Sequence, residues 1–330
     1  MKYFITGISG FIGSCLAREL TSNGHSVNAL VRNPEKVSPA DHPGVRFFKG
    51  DLFDTPVLLQ AMEECDAVFH LAAFAKPWSK DPAYPHRVNV GGAVNVFEAA
   101  LKAGVKKVVF TSSAATMSPS DGDLPVDEDT QRTIPYFNAY ETTKAEAESK
   151  AREYCGRGLP VVMVNPSRVY GPGPLNPSNS TTKMMIGYKS GKWRIIPGDG
   201  SKIGNYVFIG DVVRGHILAA EKGREGERYI LGGENVTFED FFGILAEVSG
   251  RRRKMIHLPV PVMACIARAM EWQARFTGIA PLITEDFVLK YLNDWCLSSA
   301  KAERELDYHI TPLAEGVRQT LEWDFMKKAD

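Results

Sequence analysis

Short apolar runs alternate with stretches whose apolar positions recur every three or four residues, and this alternation fills the first half of the chain. Tyr3–Thr6, Val27–Val31, Val45–Phe48, Ala67–Leu71, Val108–Thr111 and Pro160–Val164 are runs rich in β-branched and aromatic residues, as buried strands are. Between them, Phe11–Ser22 carries Ile12, Leu16 and Leu20 on one helical face. Pro56–Glu64 opens on proline, and Val88–Ala103 is closed by Gly104. A further helix, bearing Tyr140, separates the last two strands. Continuous apolar strands alternating with amphipathic helices predict a parallel sheet covered on both faces. The expected fold class is α/β, a Rossmann-type doubly wound sheet, with residues 1–165 as the dinucleotide-binding domain.

After Asn165 the texture changes. Gly171, Gly173, Pro172, Pro174 and Pro177 mark a loop. Tyr206–Ile209 and Arg228–Leu231 read as strands flanking a helix over Asp211–Glu221, so 206–232 is expected to rejoin the sheet. Residues 166–205 and 233–330 then form a smaller, mostly helical substrate domain. Within it, Met263, Met270, Trp272 and Phe276 form a stripe expected to pack as core or lid.

The 330 residues hold 39 Lys plus Arg against 39 Asp plus Glu, so no global field draws in nucleic acid or an anionic membrane. The run Arg251-Arg252-Arg253-Lys254 follows Gly250 and reads as a solvated helix end. Five scattered cysteines without a C-x-x-C pair predict reduced thiols, a cytoplasmic setting and no metal site. No apolar stretch approaches the ~20 residues that cross a bilayer. The chain runs from Met1 straight into a strand, which predicts no signal peptide.

Gly7-Ile8-Ser9-Gly10-Phe11-Ile12-Gly13 joins the first strand to the first helix. Glycines there let the backbone turn sharply and approach a pyrophosphate held at the helix N-terminus. The second strand ends in Arg32, where an NAD site would place a carboxylate; a guanidinium suits the 2′-phosphate of NADP. An exposed loop residue is the other reading of Arg32. Asp51-Leu52 follows the third strand, placed to meet the adenine or to cap a helix from Phe53 onward. Downstream, Thr111-Ser112-Ser113 presents hydroxyls at a strand end. Tyr140 and Lys144 stand at i and i+4 on one helix face, where an ammonium lowers a phenol's pKa. Hydride transfer to a carbonyl needs a hydroxyl donor and a proton source. Ser113 and Tyr140 supply them, with Thr111 and Ser112 as alternates; strand alternation turns Ser112 the other way.

Taken in order, these motifs resemble the extended short-chain dehydrogenase/reductase family, also called the NAD-dependent epimerase/dehydratase family. His70-Leu71-Ala72-Ala73, Asn89-Val90-x-Gly92, Val169-Tyr170-Gly171-Pro172 and Ser298-Ser299-Ala300-Lys301-Ala302 add to the resemblance, which spans nearly the whole chain. It implies that Ser113 polarises the substrate oxygen, Tyr140 transfers the proton, and Lys144 lowers the Tyr140 pKa while holding the nicotinamide ribose. It implies too that Leu71, Ala72 and Ala73 line the cofactor, that Pro166-Ser167 lies beside the nicotinamide, and that Asn89 either distorts the central helix or takes part in catalysis. The family suggests a homodimer packed through the Val88–Ala103 and Tyr140–Tyr154 helices.

Two departures separate the family's branches. Sugar-nucleotide members carry Arg-Asp-Phe before the late strand, with the arginine on the nucleotide's phosphates; here the place reads Gly204-Asn205-Tyr206. They also carry an asparagine where this chain has Arg168. Asn165-Pro166-Ser167 resembles the dihydroflavonol-4-reductase-like branch. The expectation is an NADP(H)-dependent oxidoreductase, with NAD(H) as the other cofactor, reducing an aldehyde or ketone substrate. A nucleotide-sugar epimerase or dehydratase with tightly bound NAD(P) is the alternative. Phe74, Trp78 and Arg168 are the candidate substrate contacts, beside Ser113; packing against the second domain, or capping a loop for Arg168, is the competing account.

Overall fold

The computed structural model describes residues 1–37, 42–76, 78–175 and 179–323. Twelve strands are found among them: β1 (Lys2–Thr6), β2 (Ser26–Val31), β3 (Val45–Lys49), β4 (Ala67–His70), β5 (Lys107–Thr111), β6 (Val161–Pro166), β7 (Arg168–Tyr170), β8 (Ile195–Pro197), β9 (Ile203–Phe208), β10 (Arg228–Leu231), β11 (Glu234–Thr237) and β12 (Ile256–Leu258). Seven build one parallel sheet in the order β10-β6-β5-β4-β1-β2-β3. β4 and β6 are buried at every residue, which accounts for their unbroken apolar runs.

Alternate residues of these strands feed two cores. Ile5, Phe69, Val109 and Val162 pack with Leu16 and Leu20 of the helix Phe11–Ser22 and Val213 of the helix Ile209–Lys222. Phe4, Val68, Val108 and Phe110 pack with Leu58 of Thr55–Met62, Val96 and Phe97 of Gly92–Ala103, and Ala147 and Ala151 of Ala139–Gly156. Strand order reverses between β1 and β4, so the carboxyl ends of these two strands open a crevice of the kind in which doubly wound sheets bind ligands.

Three local expectations are corrected. Of the two late strands, only β10 joins the large sheet; β9 pairs with β7 and β11 in a separate three-stranded sheet. That pairing depends on Gly233, where a Cβ would lie 2.0 Å from the Tyr206 carbonyl oxygen. The helix expected from Val88 begins at Tyr84 and passes through a π-helical turn at Arg87–Gly91 before Gly92–Ala103. The Met263–Phe276 stripe splits across the helix Val260–Thr277. Met263 and Ala267 are buried against Val288, while Trp272 and Phe276 are 65% and 73% exposed, their rings 4.8 Å apart. Two residues of offset carry the aromatic pair away from the buried face. Among the described residues, no helix is long and apolar enough to cross a membrane.

Candidate active site

The glycine turn leaves no room for side chains. Gly7 has φ +83°, and a Cβ there would meet the Ala72 amide at 2.7 Å; one on Gly13 would lie 2.3 Å from the Gly7 carbonyl oxygen. Gly10 caps the helix Phe11–Ser22 without a side-chain hydrogen bond, so no side chain of its own competes for the first amides. Ser9 at the tip is exposed, whereas Phe11 is buried and Ile12 packs against the core. A second sign of a ligand stands across the crevice: Ser167 Oγ, next to Pro166, is buried without a partner among the described residues. Both features fit a nicotinamide dinucleotide, its pyrophosphate over the turn and its nicotinamide beside β6.

Arg32 is exposed just past β2, a placement that suits either reading of it, phosphate contact or loop residue. Asp51 Oδ1 accepts from the Phe53 amide at 2.8 Å in a local turn, whereas the helix Thr55–Met62 is capped by Asp54, so Asp51 is not the helix cap, and Leu52 is buried under Gly92. Leu71, Ala72 and Ala73 continue from β4 at the crevice wall, with the Leu71 and Ala72 amides donating to the Thr6 carbonyl and Thr6 Oγ1. His70 behind them bonds Thr6 Oγ1 through Nδ1 at 2.7 Å and stacks on Phe110; burial, aided by Lys144, pulls its pKa down to about 3, so the ring is neutral.

Ser113, Tyr140 and Lys144 converge at the carboxyl end of β5. The Ser113 hydroxyl faces the Tyr140 phenol closely enough to influence its titration. Burial raises the phenol's pKa, the Ser113 contact draws it back, and Glu141 raises it further. Lys144 does not produce the lowering expected from the i, i+4 spacing. Its ammonium donates to the Thr111 carbonyl at 2.8 Å and sits 4.9 Å from the centroid of the Phe110 ring. Burial pulls Lys144 down to about 8, against the opposing charge of Glu148. The two alternates for Ser113 are engaged elsewhere: Thr111 Oγ1 with His216 Nε2 at 2.9 Å, and Ser112 Oγ donating to Glu148 at 2.5 Å.

Two carboxylates went unread in the sequence. Glu148 is buried and also accepts from Thr116 Oγ1 at 2.9 Å and Asn165 Nδ2 at 2.7 Å. Glu141, fully buried, pairs with Lys290 at 2.9 Å and Arg132 at 3.3 Å. With Lys144 they stand at i, i+3 and i+7 on one face of Ala139–Gly156, the face that also buries Ala147 and Ala151. That spacing of charges with alanines between them was the available signal. Asn89 lies in the π-turn, accepting from the Phe74 amide at 2.7 Å and donating to Thr143 Oγ1 at 3.0 Å, which is a structural role.

Of the substrate candidates, Phe74 packs edge-on against Tyr84 at 5.4 Å, and Trp78 is half-buried. Arg168, opening β7, donates to the Tyr206 phenol at 3.1 Å. Asn165, three residues earlier, donates to the Ser113 carbonyl at 3.1 Å, which ties this strand end to the Ser113 site. A largely apolar cavity of about 560 Å³ lies nearby, between Pro197–Lys202, Pro259–Met263 and Val288–Leu292.

Comparison with known proteins agrees with this fold. The NAD dependent epimerase/dehydratase family model matches residues 3–232. A Synechocystis sp. protein with a provisional dihydroflavonol 4-reductase name is 29% identical over 97% of this chain and 94% of its own. The crystal structure of gox2253 superposes with a TM-score of 0.81 at 32% identity, covering 97% of both chains. MoeE5, solved in complex with UDP-glucose and NAD, gives a TM-score of 0.74 at 26% identity and covers 98% of both. The fold, the turn and the ordered motifs therefore have one source: the chain belongs to the NAD dependent epimerase/dehydratase family, within the NAD(P)-dependent extended short-chain dehydrogenases/reductases.

Proposed function

We propose that the protein is an NADP(H)-dependent carbonyl reductase acting through Ser113, Tyr140 and Lys144. The observation that carries the reductase reading is at β9. Where sugar-nucleotide members hold a phosphate-binding guanidinium, this chain has Gly204-Asn205, and Asn205 is consumed by the fold. Its Nδ2 donates to the Gly233 carbonyl at 2.9 Å and to Asn235 Oδ1 at 2.8 Å, while its Oδ1 accepts from the Gly233 amide at 2.8 Å. The reductase name of the Synechocystis relative supports the same branch. A nucleotide-sugar epimerase or dehydratase is the second reading, favoured by the UDP-glucose bound to MoeE5.

The nicotinamide supplies hydride when the cofactor is bound. The chain's own residues then have separate tasks. Gly7, Gly10 and Gly13 admit the pyrophosphate, Arg32 meets the 2′-phosphate, and Leu71–Ala73 with Pro166 flank the rest. Ser113 donates to the substrate oxygen, and Tyr140 delivers a proton to the same atom. Lys144, its pKa drawn down to about 8 by burial, keeps most of its charge at neutral pH, and a phosphate or ribose contact would favour the charged form further. Phe74 and Trp78 offer apolar surface to the substrate. The division into 1–165 with 228–231 added and a remaining substrate domain belongs to this reading, as does a homodimer through the helices that follow β4 and precede β6. Five unbridged cysteines support a reducing, cytoplasmic setting.

The test is to incubate the protein with NADPH and, separately, aromatic aldehydes, ketones and nucleotide sugars. Net NADPH consumption is expected with a carbonyl compound. Conversion of a nucleotide sugar without net cofactor change would replace this reading with the second one.

A further inference from the structure

Taking the position of the active site from the reductase reading, we infer that Arg168 receives an anionic oxygen group of the substrate, a carboxylate or a phosphate. The guanidinium is half-buried and caged by rings, 5.1 Å from the centroid of Phe238, 5.4 Å from Tyr206 and 5.7 Å from Tyr291. Its one hydrogen-bond partner among the described residues is the neutral Tyr206 phenol, and no carboxylate there reaches ion-pair distance.

Four other half-buried or buried cations are paired: Arg132 and Lys290 share Glu141, Arg228 faces Glu148 at 3.5 Å, and Lys301 meets Glu227 at 2.6 Å. Arg168 has no such carboxylate among the described residues. A guanidinium withdrawn from water without a counter-ion is costly, and aromatic faces offset only part of the loss. Its neighbours sharpen the imbalance: Glu141 is taken up by Arg132 and Lys290, and Arg168 and Arg132 both repel the Lys290 ammonium.

The place is kept open for it. A Cβ on Gly204 would lie 2.4 Å from Arg168 Nη1, so only glycine on β9 lets the guanidinium occupy this position. Three rings surround the guanidinium and only one of its five N–H groups has a partner among the described residues, and a guanidinium grips a planar or tetrahedral oxyanion with two N–H groups. Tyr291 walls both this cage and the largely apolar 560 Å³ cavity. The ligand so described has an anionic end and an apolar body.

The experiment uses the full chain saturated with NADP⁺ and measures binding calorimetrically. Probes are phenylacetate, phenyl phosphate, UDP and the neutral phenylacetamide. At least one anion should bind ten or more times (order of magnitude) tighter than phenylacetamide. Arg168→Met should abolish that margin, and Arg168→Lys should restore part of it, which also guards against a folding defect. Tight phenylacetate binding identifies an acidic carbonyl compound, and tight UDP binding alone identifies a nucleoside diphosphate. Equal binding of the amide, no response to Arg168→Met in a folded protein, or no binding of any anion overturns the inference and leaves Arg168 as a strut for its three rings. NADPH consumption with neutral aldehydes reads the reductase assignment separately, because it survives failure of the anion site. Conversely, anion binding without turnover of any carbonyl removes the reductase reading alone.

Discussion

Lys290 Nζ lies 2.9 Å from Glu141 Oε1, joining the helix Glu285–Tyr291 to the residue directly after Tyr140. Arg132 approaches the same carboxylate from the loop before the helix, at 3.3 Å. Glu141 is fully buried, so its charge is tolerable only while both cations stay in place. Glu141→Gln leaves two cations facing a neutral amide and should cost about 3 kcal/mol or more in urea unfolding. A loss below about 1 kcal/mol would show that water already screens the cluster. Lys290→Met should cost less, since its side chain is 22% exposed.

On the proposed mechanism, Tyr140→Phe removes the proton donor and keeps the ring. NADPH binding should be retained while turnover falls by about 10²-fold to 10⁴-fold. Measured by cofactor fluorescence and by absorbance, unchanged turnover would take the phenol out of the chemistry. Ser113→Ala should give a loss in the same direction, because it removes the hydroxyl that the phenol meets.

Arg32 stands exposed past β2 with no acid beside it in the chain. Arg32→Asp should reverse the cofactor preference, weakening NADPH by at least about tenfold relative to NADH, since each 1.4 kcal/mol of lost charge pairing is a factor of ten. Equal effects on both cofactors, read as kcat/KM, would place the 2′-phosphate elsewhere.

Lys144 gives a signature in pH. Burial holds its pKa at about 8, below the ordinary 10.5. Between these values the unfolded chain holds a proton that the folded chain has released, so this group makes stability rise as pH climbs through the window. Below 8 its penalty is fully present. The stability difference between Lys144→Met and the parent should therefore shrink from neutral pH toward about pH 10, by up to roughly 3 kcal/mol. A pH-independent difference in chemical denaturation would mean that Lys144 is solvated. Saturating NADP⁺ should flatten the same profile by favouring the charged ammonium.

The large sheet was legible because its strands are buried on both faces and read as unbroken apolar runs. The turn at Gly7–Gly13 was legible because its glycines fall at the strand-to-helix junction. Strand alternation also separated Ser113 from Ser112, whose hydroxyl turns to Glu148. β9 misled because Tyr206–Phe208 is as apolar as any core strand. Its partner is set by the approach of Gly233 to Tyr206, a contact between residues far apart in sequence. Glu141 and Glu148 were missed for the opposite reason. Charged residues on a helix read as solvated, and the partners that make them buried lie on other elements. The lowered Tyr140 pKa failed on direction, because i, i+4 spacing places Lys144 on the same face but says nothing of the Thr111 carbonyl that receives its ammonium.

The π-turn at Arg87–Gly91 sets a boundary on what the cleft can change. Asn89 clamps the Phe74 backbone with both ends of its amide, Oδ1 accepting from the N–H and Nδ2 donating to the C=O, and the same nitrogen reaches Thr143 on the helix that carries Tyr140. Phe74 is thereby tied to the helix of Tyr140, while the chain beyond it lies outside that clamp. On the proposed function, substrate range could drift through the residues after Phe74 without moving the reacting groups.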